Sequence, residues 1–318
     1  MIVPLAVLAV ALSAIAVRVF MVVARRRLLA LPGDRSSHTS ATPTGGGLPM
    51  ILVFVVVASA AVALGTIAGG PRYWAALACG VVLAPLGLWD DAVDLSRGIR
   101  ILVQLCVAVA VVALLDRSGG DLMAEAAAVL LIVALINAFN FMDGIDALVG
   151  GTGLTIVCFL AVWTGDGLWW LLAASVAGFL PFNVPPARIF MGDAGATALG
   201  ALVGVALLSE PVLAPRHWLV LAVLMGDTAY TLGRRLWRRE NILQGHHSHL
   251  YQRLLRAGHS HGAISAGYAA ATLACGLLGW FAGAAGAIAV LVAGCVVVAA
   301  IERHVVRRGV PFTRTASG

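Results

Sequence analysis

The 318-residue chain contains no lysine, so all 21 of its cationic side chains are arginine. Any anionic partner must therefore be gripped by guanidinium forks, which suit bidentate contacts to phosphate. A biased genome composition accounts for the missing lysine equally well. Charge of either sign is scarce, at 11% of residues against 61% hydrophobic, and mean hydropathy is +0.97. That excludes a water-soluble globule, which could not cover its surface with so few polar groups. Cysteine is also sparse. Cys79, Cys106, Cys158, Cys275 and Cys295 all lie in apolar stretches without a C-x-x-C pair, which argues against a disulfide framework or a cysteine zinc site. The net charge of +6 does not point to nucleic acid, because the arginines sit at the ends of hydrophobic runs.

What is present is a succession of apolar stretches, each near the roughly 20 residues that span a hydrocarbon core. They fall at 2–23, 48–68, 73–89, 100–115, 122–140, 150–165, 167–184, 194–209, 215–233, 261–282 and 284–301. The pattern predicts an all-α polytopic membrane protein of about eleven transmembrane helices, forming one membrane domain over 1–318. The first stretch has no basic residues before it and is followed by Arg25-Arg26-Arg27, as in an anchor with its N-terminus outside. Alternating sides from there places 17 arginines on one face, against only Arg72, Arg117 and Arg216 on the other. The arginine-rich face is predicted to be cytoplasmic, in the inner (plasma) membrane, with a short cytoplasmic tail over 303–318.

Five polar segments fall on or near that same face. Asp90 and Asp91 follow the third stretch, and Arg97 and Arg100 open the fourth. Paired carboxylates there can bind a divalent cation or hold a proton, with the arginines neutralising a phosphate opposite, although a solvated capping turn has the same composition. Asn137, Asn140, Asp143 and Asp146 recur every three residues, which on a helix aligns hard oxygen ligands suited to Mg²⁺ along one face. Asp193 lies between glycines in Gly192-Asp193-Ala194-Gly195, placed like an N-cap, with Asn183, Arg188 and Phe190 upstream. Phe190 reads as a nucleobase platform or as an interfacial anchor. Asp227 is intramembrane, either functional or a structural carboxylate bonded to a neighbouring helix. His246, His247 and His249 lack a companion at zinc-ligand spacing and suit hydrogen bonds to a pyrophosphate.

Taken in order, the motifs resemble those of the polyprenyl-phosphate N-acetylhexosamine-1-phosphate transferases. They are Arg35-Ser36-Ser37-His38 with Thr42-Pro43-Thr44-Gly45-Gly46-Gly47, then Gly87-Leu88-Trp89-Asp90-Asp91, Asn137 to Asp146, Pro186 to Gly195, and the histidine loop. The resemblance covers nearly the whole chain. It implies that Asp193 and Asn140 hold Mg²⁺, for which Mn²⁺ is a substitute, on the pyrophosphate of a UDP-sugar. It also implies that Asp90 and Asp91 lie near the lipid phosphate, that Asn183, Phe190, Asp143 and Asp146 frame the uridine, and that Arg100 and the histidine loop contact phosphate. His246-His247-Ser248-His249 departs from the triple histidine of the muramoyl-pentapeptide enzymes, which points toward the O-antigen-initiating branch.

The expected reaction is transfer of an N-acetylhexosamine 1-phosphate from a UDP-sugar to polyprenyl phosphate, releasing UMP. The implied partners are the UDP-N-acetylhexosamine and a polyprenyl phosphate in the bilayer, with no nucleic acid; a homodimer is compatible with the chain. Two rivals use the same residues differently. A membrane prenyltransferase would take Asp90-Asp91-x-x-Asp94 as an aspartate-rich motif but should carry a second one. A transporter or flippase would concentrate ionisable groups at mid-bilayer and repeat its hydropathy in two halves, neither of which is present.

Overall fold

The computed structural model describes residues 2–30, 41–116, 120–241, 246–310 and 312. The Arg35-Ser36-Ser37-His38 motif and Arg117 lie outside the described residues. The chain is an all-α polytopic membrane protein whose described residues also include a two-residue antiparallel pair, β1 (Leu29–Ala30) with β2 (Thr42–Pro43), in which Leu29 faces Pro43 and Ala30 faces Thr42. The helices are α1 (Ile2–Arg27), α2 (Gly47–Ala63), α3 (Pro71–Val93), α4 (Arg97–Leu115), α5 (Leu122–Met142), α6 (Leu148–Thr164), α7 (Gly167–Asn183), α8 (Gly192–Leu208), α9 (Pro215–Trp237), α10 (Leu250–Arg256) and α11 (His261–Arg307). Each expected apolar stretch coincides with a helix, the last two being halves of α11 on either side of a non-helical Gly283. Among the described residues, six segments are long and apolar enough to cross a membrane, and α2, α6, α7 and α8 are shorter apolar helices.

The structure departs from the sequence expectation in the extent of several helices and in one added helix. Helix α3 runs on through Asp90 and Asp91 to Val93, so the aspartate pair belongs to a helix end rather than a loop. The short α10 was not anticipated, being polar and only seven residues long. Helix α11 continues to Arg307, past the point where the tail was expected to begin.

Local chemistry sets the ends. Ser96 caps α4 by accepting from Ile99 N–H, and Ser260 caps α11 by accepting from Ala263 N–H. Asp121 and Asp166 do the same for α5 and α7. Such caps satisfy amide groups that lipid cannot. Helix α8 is the hub. Every residue from Ala194 to Leu208 is buried, and it packs against α2, α3, α4, α5 and α6. A helix apolar on all sides belongs in the centre of a bundle. Its small residues set the spacing, as is usual between membrane helices. A Cβ on Gly47 would strike Gly195, and one on Gly87 would strike the Asp193–Ala194 backbone. The end of α3 therefore lies directly on the start of α8.

Candidate active site

The polar segments converge at one end of the bundle, around a cavity of about 300 Å³. Its lining includes Asp90, Arg97, Arg100, Gln104, Asn137, Asn140, Asp193, His246, His249 and Gln252, with Leu83, Leu86, Ile101 and Phe141 as the apolar part. Asp90 is buried, and its Oδ1 accepts from Leu95 N–H at 2.7 Å, which closes the α3–α4 turn. Its Oδ2 receives Arg100 Nη1 at 2.8 Å, and the same nitrogen stands 3.7 Å from Asp193 Oδ2. Asn140 donates from Nδ2 to Asp193 Oδ1 at 2.7 Å. Asn137 donates to Gln104 Oε1 and to Val133 O, both at 2.8 Å, and so is held one turn deeper.

The adjacent aspartates face different ways. Asp91 does not line the cavity; its Oδ1 accepts from Asp193 N–H at 3.3 Å, at the start of α8. Asp193 itself is not the cap expected from sequence. The N-cap is Met191, without a side-chain cap bond, and Asp193 lies inside the first turn. The amide is satisfied across the helix pair because Gly192, at φ +71°, bends the chain onto Asp91 and Thr44. Asp91 Oδ2 remains buried without a hydrogen-bond partner.

The expected single face through Asn137, Asn140, Asp143 and Asp146 holds only for its first half. Helix α5 ends at Met142 with Asp143 as its C-cap, and the Tyr251 hydroxyl lies against Gly144 and donates to Phe141 O at 3.0 Å. Burial, and then the charge of Asp193, push the Asp143 carboxyl up to about 7. Asp146 faces away from the cavity. Its Oδ2 accepts from Ala187 N–H at 3.0 Å and its Oδ1 lies 3.2 Å from His261 Nδ1. Burial raises this carboxyl, but His261 and the Ala187 amide outweigh it and hold Asp146 below the usual range. Asn183 is buried beside it, accepting from Ala147 N–H at 3.0 Å and donating to Ile189 O at 3.1 Å.

Phe190 is half-buried. Its backbone pairs with the glycine-rich segment through Phe190 N–H to Pro43 O at 2.8 Å and Gly46 N–H to Phe190 O at 2.9 Å. Asp143, Asp146, Asn183, Phe190 and His247 thus stand outside the cavity lining. His246 lines it, and its pKa is lowered to about 4 by burial and then by His249 and Arg235, so the ring is neutral at pH 7. Sequence reasoning missed Gln104, Gln252 and His261. Gln104 carried a usable signal, a lone amide inside an apolar span; Gln252 and His261 carried none.

A bundle end that gathers carboxylates, amides and arginines around a cavity between membrane helices defines a membrane-embedded enzyme handling a charged, phosphate-like group. Residues 73–210 match Glycosyl transferase family 4. The chain is 31% identical over 257 residues to the "Probable undecaprenyl-phosphate N-acetylglucosaminyl 1-phosphate transferase" of Bacillus subtilis, covering 72% of this chain and 70% of that one. It is 30% identical over 291 residues to the "Decaprenyl-phosphate N-acetylglucosaminephosphotransferase" of Mycobacterium tuberculosis, covering 76% and 72%. A shorter match, 40% identical over 126 residues, is to a "Phospho-N-acetylmuramoyl-pentapeptide-transferase" of Moorella thermoacetica, covering 35% and 40%. The chain belongs to glycosyl transferase family 4, and it is a phosphotransferase enzyme.

Proposed function

We propose that the protein transfers an N-acetylhexosamine 1-phosphate, from UDP-N-acetylglucosamine or a 6-deoxy relative, to a polyprenyl phosphate, releasing UMP and beginning an envelope glycan of the O-antigen kind. The observation that carries this is Arg100, bridging Asp90 and Asp193 inside a cavity whose other wall is apolar. Two relatives named for transfer of N-acetylglucosamine phosphate with a polyprenyl phosphate support the acceptor and the group transferred. The arginine-rich end, where the cavity lies, is taken to face the cytoplasm, with the N-terminus outside and about eleven crossings.

Magnesium belongs to the proposal. Asp90, Asp91, Asp143 and Asp193 crowd together with Arg100 as the cation seen to pair with two of them, and Asp91 Oδ2 is buried without a partner. Such a surplus of hard oxygen donors fits a divalent cation. Among the described residues no three His, Cys, Asp or Glu side chains form a ready-made cage. Mg²⁺ keeps several waters and shares substrate phosphate, so it needs few protein ligands. Asp193 and Asn140 would hold it, and when bound it would neutralise charge on the transferring phosphoryl group.

The protein's own groups do the rest. Arg97 and Arg100 bind and orient phosphate oxygens, and their fixed charges stabilise what develops in the transition state. Asp90, locked by Leu95 N–H and Arg100, orients that guanidinium. A phosphomonoester has a second pKa near ~6 and is mostly dianionic at neutral pH, so it needs no strong base to attack. Leu83, Leu86, Ile101 and Phe141 give the first prenyl units an apolar wall. Purified protein given Mg²⁺, polyprenyl phosphate and UDP-N-acetylglucosamine should form UMP in step with a lipid diphosphosugar. Release of UDP, or no reaction with any UDP-N-acetylhexosamine, contradicts the proposal.

A further inference from the structure

Five groups converge on the buried carboxylate of Asp227. Oδ1 accepts from Leu250 N–H at 2.9 Å and from the Thr231 hydroxyl at 3.1 Å. Oδ2 accepts from the Tyr268 hydroxyl at 2.7 Å and from Tyr251 N–H at 3.3 Å. The fifth group is His249 Nδ1, 3.2 Å from Oδ1. An ionised carboxylate can only accept, so Nδ1 must carry the proton. In a neutral imidazole the other nitrogen then holds a lone pair. That nitrogen, Nε2, is buried without a hydrogen-bond partner, on a ring only 2% exposed that lines the active-site cavity. The ring is clamped by stacking on His246 at 5.1 Å and on Tyr251 at 5.9 Å. Capping α10 would account for the bonds to Leu250 and Tyr251. It requires neither the Nδ1 contact nor an unpartnered Nε2 on a ring that lines the cavity.

We propose that Asp227 is a positioning residue: by holding His249 as its Nδ1–H tautomer, it turns a bare Nε2 toward the cavity to accept a hydrogen bond from the protonated oxygen of a phosphomonoester. The proposal rests on the reaction assigned above, in which a phosphomonoester is both acceptor and product. Near its second pKa of about 6, such a group still carries a P–OH in part of the population. Carboxylates hold metal-bound histidines in one tautomer by the same contact.

The tautomer can be read without turnover, by ring-nitrogen NMR of histidine-labelled protein made without a histidine tag. The His249 signals are identified by their loss in His249→Gln. At about pH 8, above the ordinary imidazole pKa, Nε2 should be unprotonated in the wild type and protonated in Asp227→Asn. A wild-type Nε2 that carries the proton overturns the proposal. In kinetics, Asp227→Asn should lose at least about tenfold in turnover, as expected for a mis-set tautomer. Adding it to His249→Gln should cost no more than about a further twofold, since the two act as a unit. Multiplicative losses overturn the proposal. Tyr268→Phe, which removes another Asp227 partner but keeps the contact with His249, should stay within about threefold of wild type; a loss as large as that of Asp227→Asn would mark Asp227 as merely structural and overturn the proposal. A wild type that releases no UMP sinks the assigned reaction alone, because the NMR result stands apart from it.

Discussion

Asn140 Nδ2 lies 2.7 Å from Asp193 Oδ1, tying the last turn of α5 to the first turn of α8. The bond fixes one oxygen of Asp193 while the other faces Arg100. Asp193 is therefore held by side chains, whereas its backbone amide is satisfied by Asp91.

That division of labour makes Asp193→Asn informative. The change leaves the Asp91 contact at the start of α8 intact and removes one charge from a crowded acidic cluster. Thermal stability should be equal to or above wild type, while turnover falls at least about 10²-fold, as when electrostatic stabilisation of a transition state is lost. Near-normal turnover at low millimolar Mg²⁺ would show that Asp193 is no metal ligand.

Gly87 gives a packing test. A side chain there would strike the Asp193–Ala194 backbone, whereas at Gly98 nothing lies within 4 Å. Gly87→Ala should cost about 1–3 kcal/mol by overpacking, and Gly98→Ala should not destabilise. Equal melting temperatures for both variants would contradict the close seating of α3 on α8.

The orientation is accessible to labelling. In a cysteine-free background Gly98→Cys sits at the arginine-rich end and Gly70→Cys at the opposite one, each with open space around it. An impermeant maleimide applied to right-side-out vesicles should label Gly70→Cys alone. Labelling of Gly98→Cys but not Gly70→Cys would reverse the proposed orientation.

His246 predicts a pH dependence of stability. Its pKa falls from 6.5 to about 4 on folding, by burial and then by the neighbouring His249 and Arg235. Between those values the unfolded chain binds more protons, so stability rises with pH across the window and is level above it. The melting temperature should drop between pH 7 and pH 5, and His246→Gln should reduce that drop. An undiminished drop in the variant would assign it to other groups.

The sequence revealed the helices because apolar runs about 20 residues long have few other uses. It revealed the clustering because polar groups beside a membrane need one another. It did not reveal which way each side chain turns. Asp90 and Asp91 are neighbours in sequence, yet one lines the cavity and the other bonds α8, a choice made by Gly87 and Gly192 bringing two backbones together. Asp143 and Asp146 continued a three-residue repeat that the helix does not follow: it ends at Met142, where the hydroxyl of Tyr251, more than 100 residues away, bonds the Phe141 carbonyl. Asp227 was visible as an intramembrane carboxylate, but its contact with His249 depends on how the histidine loop folds back on α9.

The central claim is that the reaction occurs at phosphorus and not at the sugar carbon. UDP-N-acetylglucosamine can be made with heavy oxygen at the atom joining C1 to the β-phosphorus. If the cavity carries out phosphoryl transfer, all of that label ends in the lipid diphosphosugar and the UMP released is unlabelled. Heavy oxygen leaving in UDP would mean attack at the anomeric carbon, and would contradict the account.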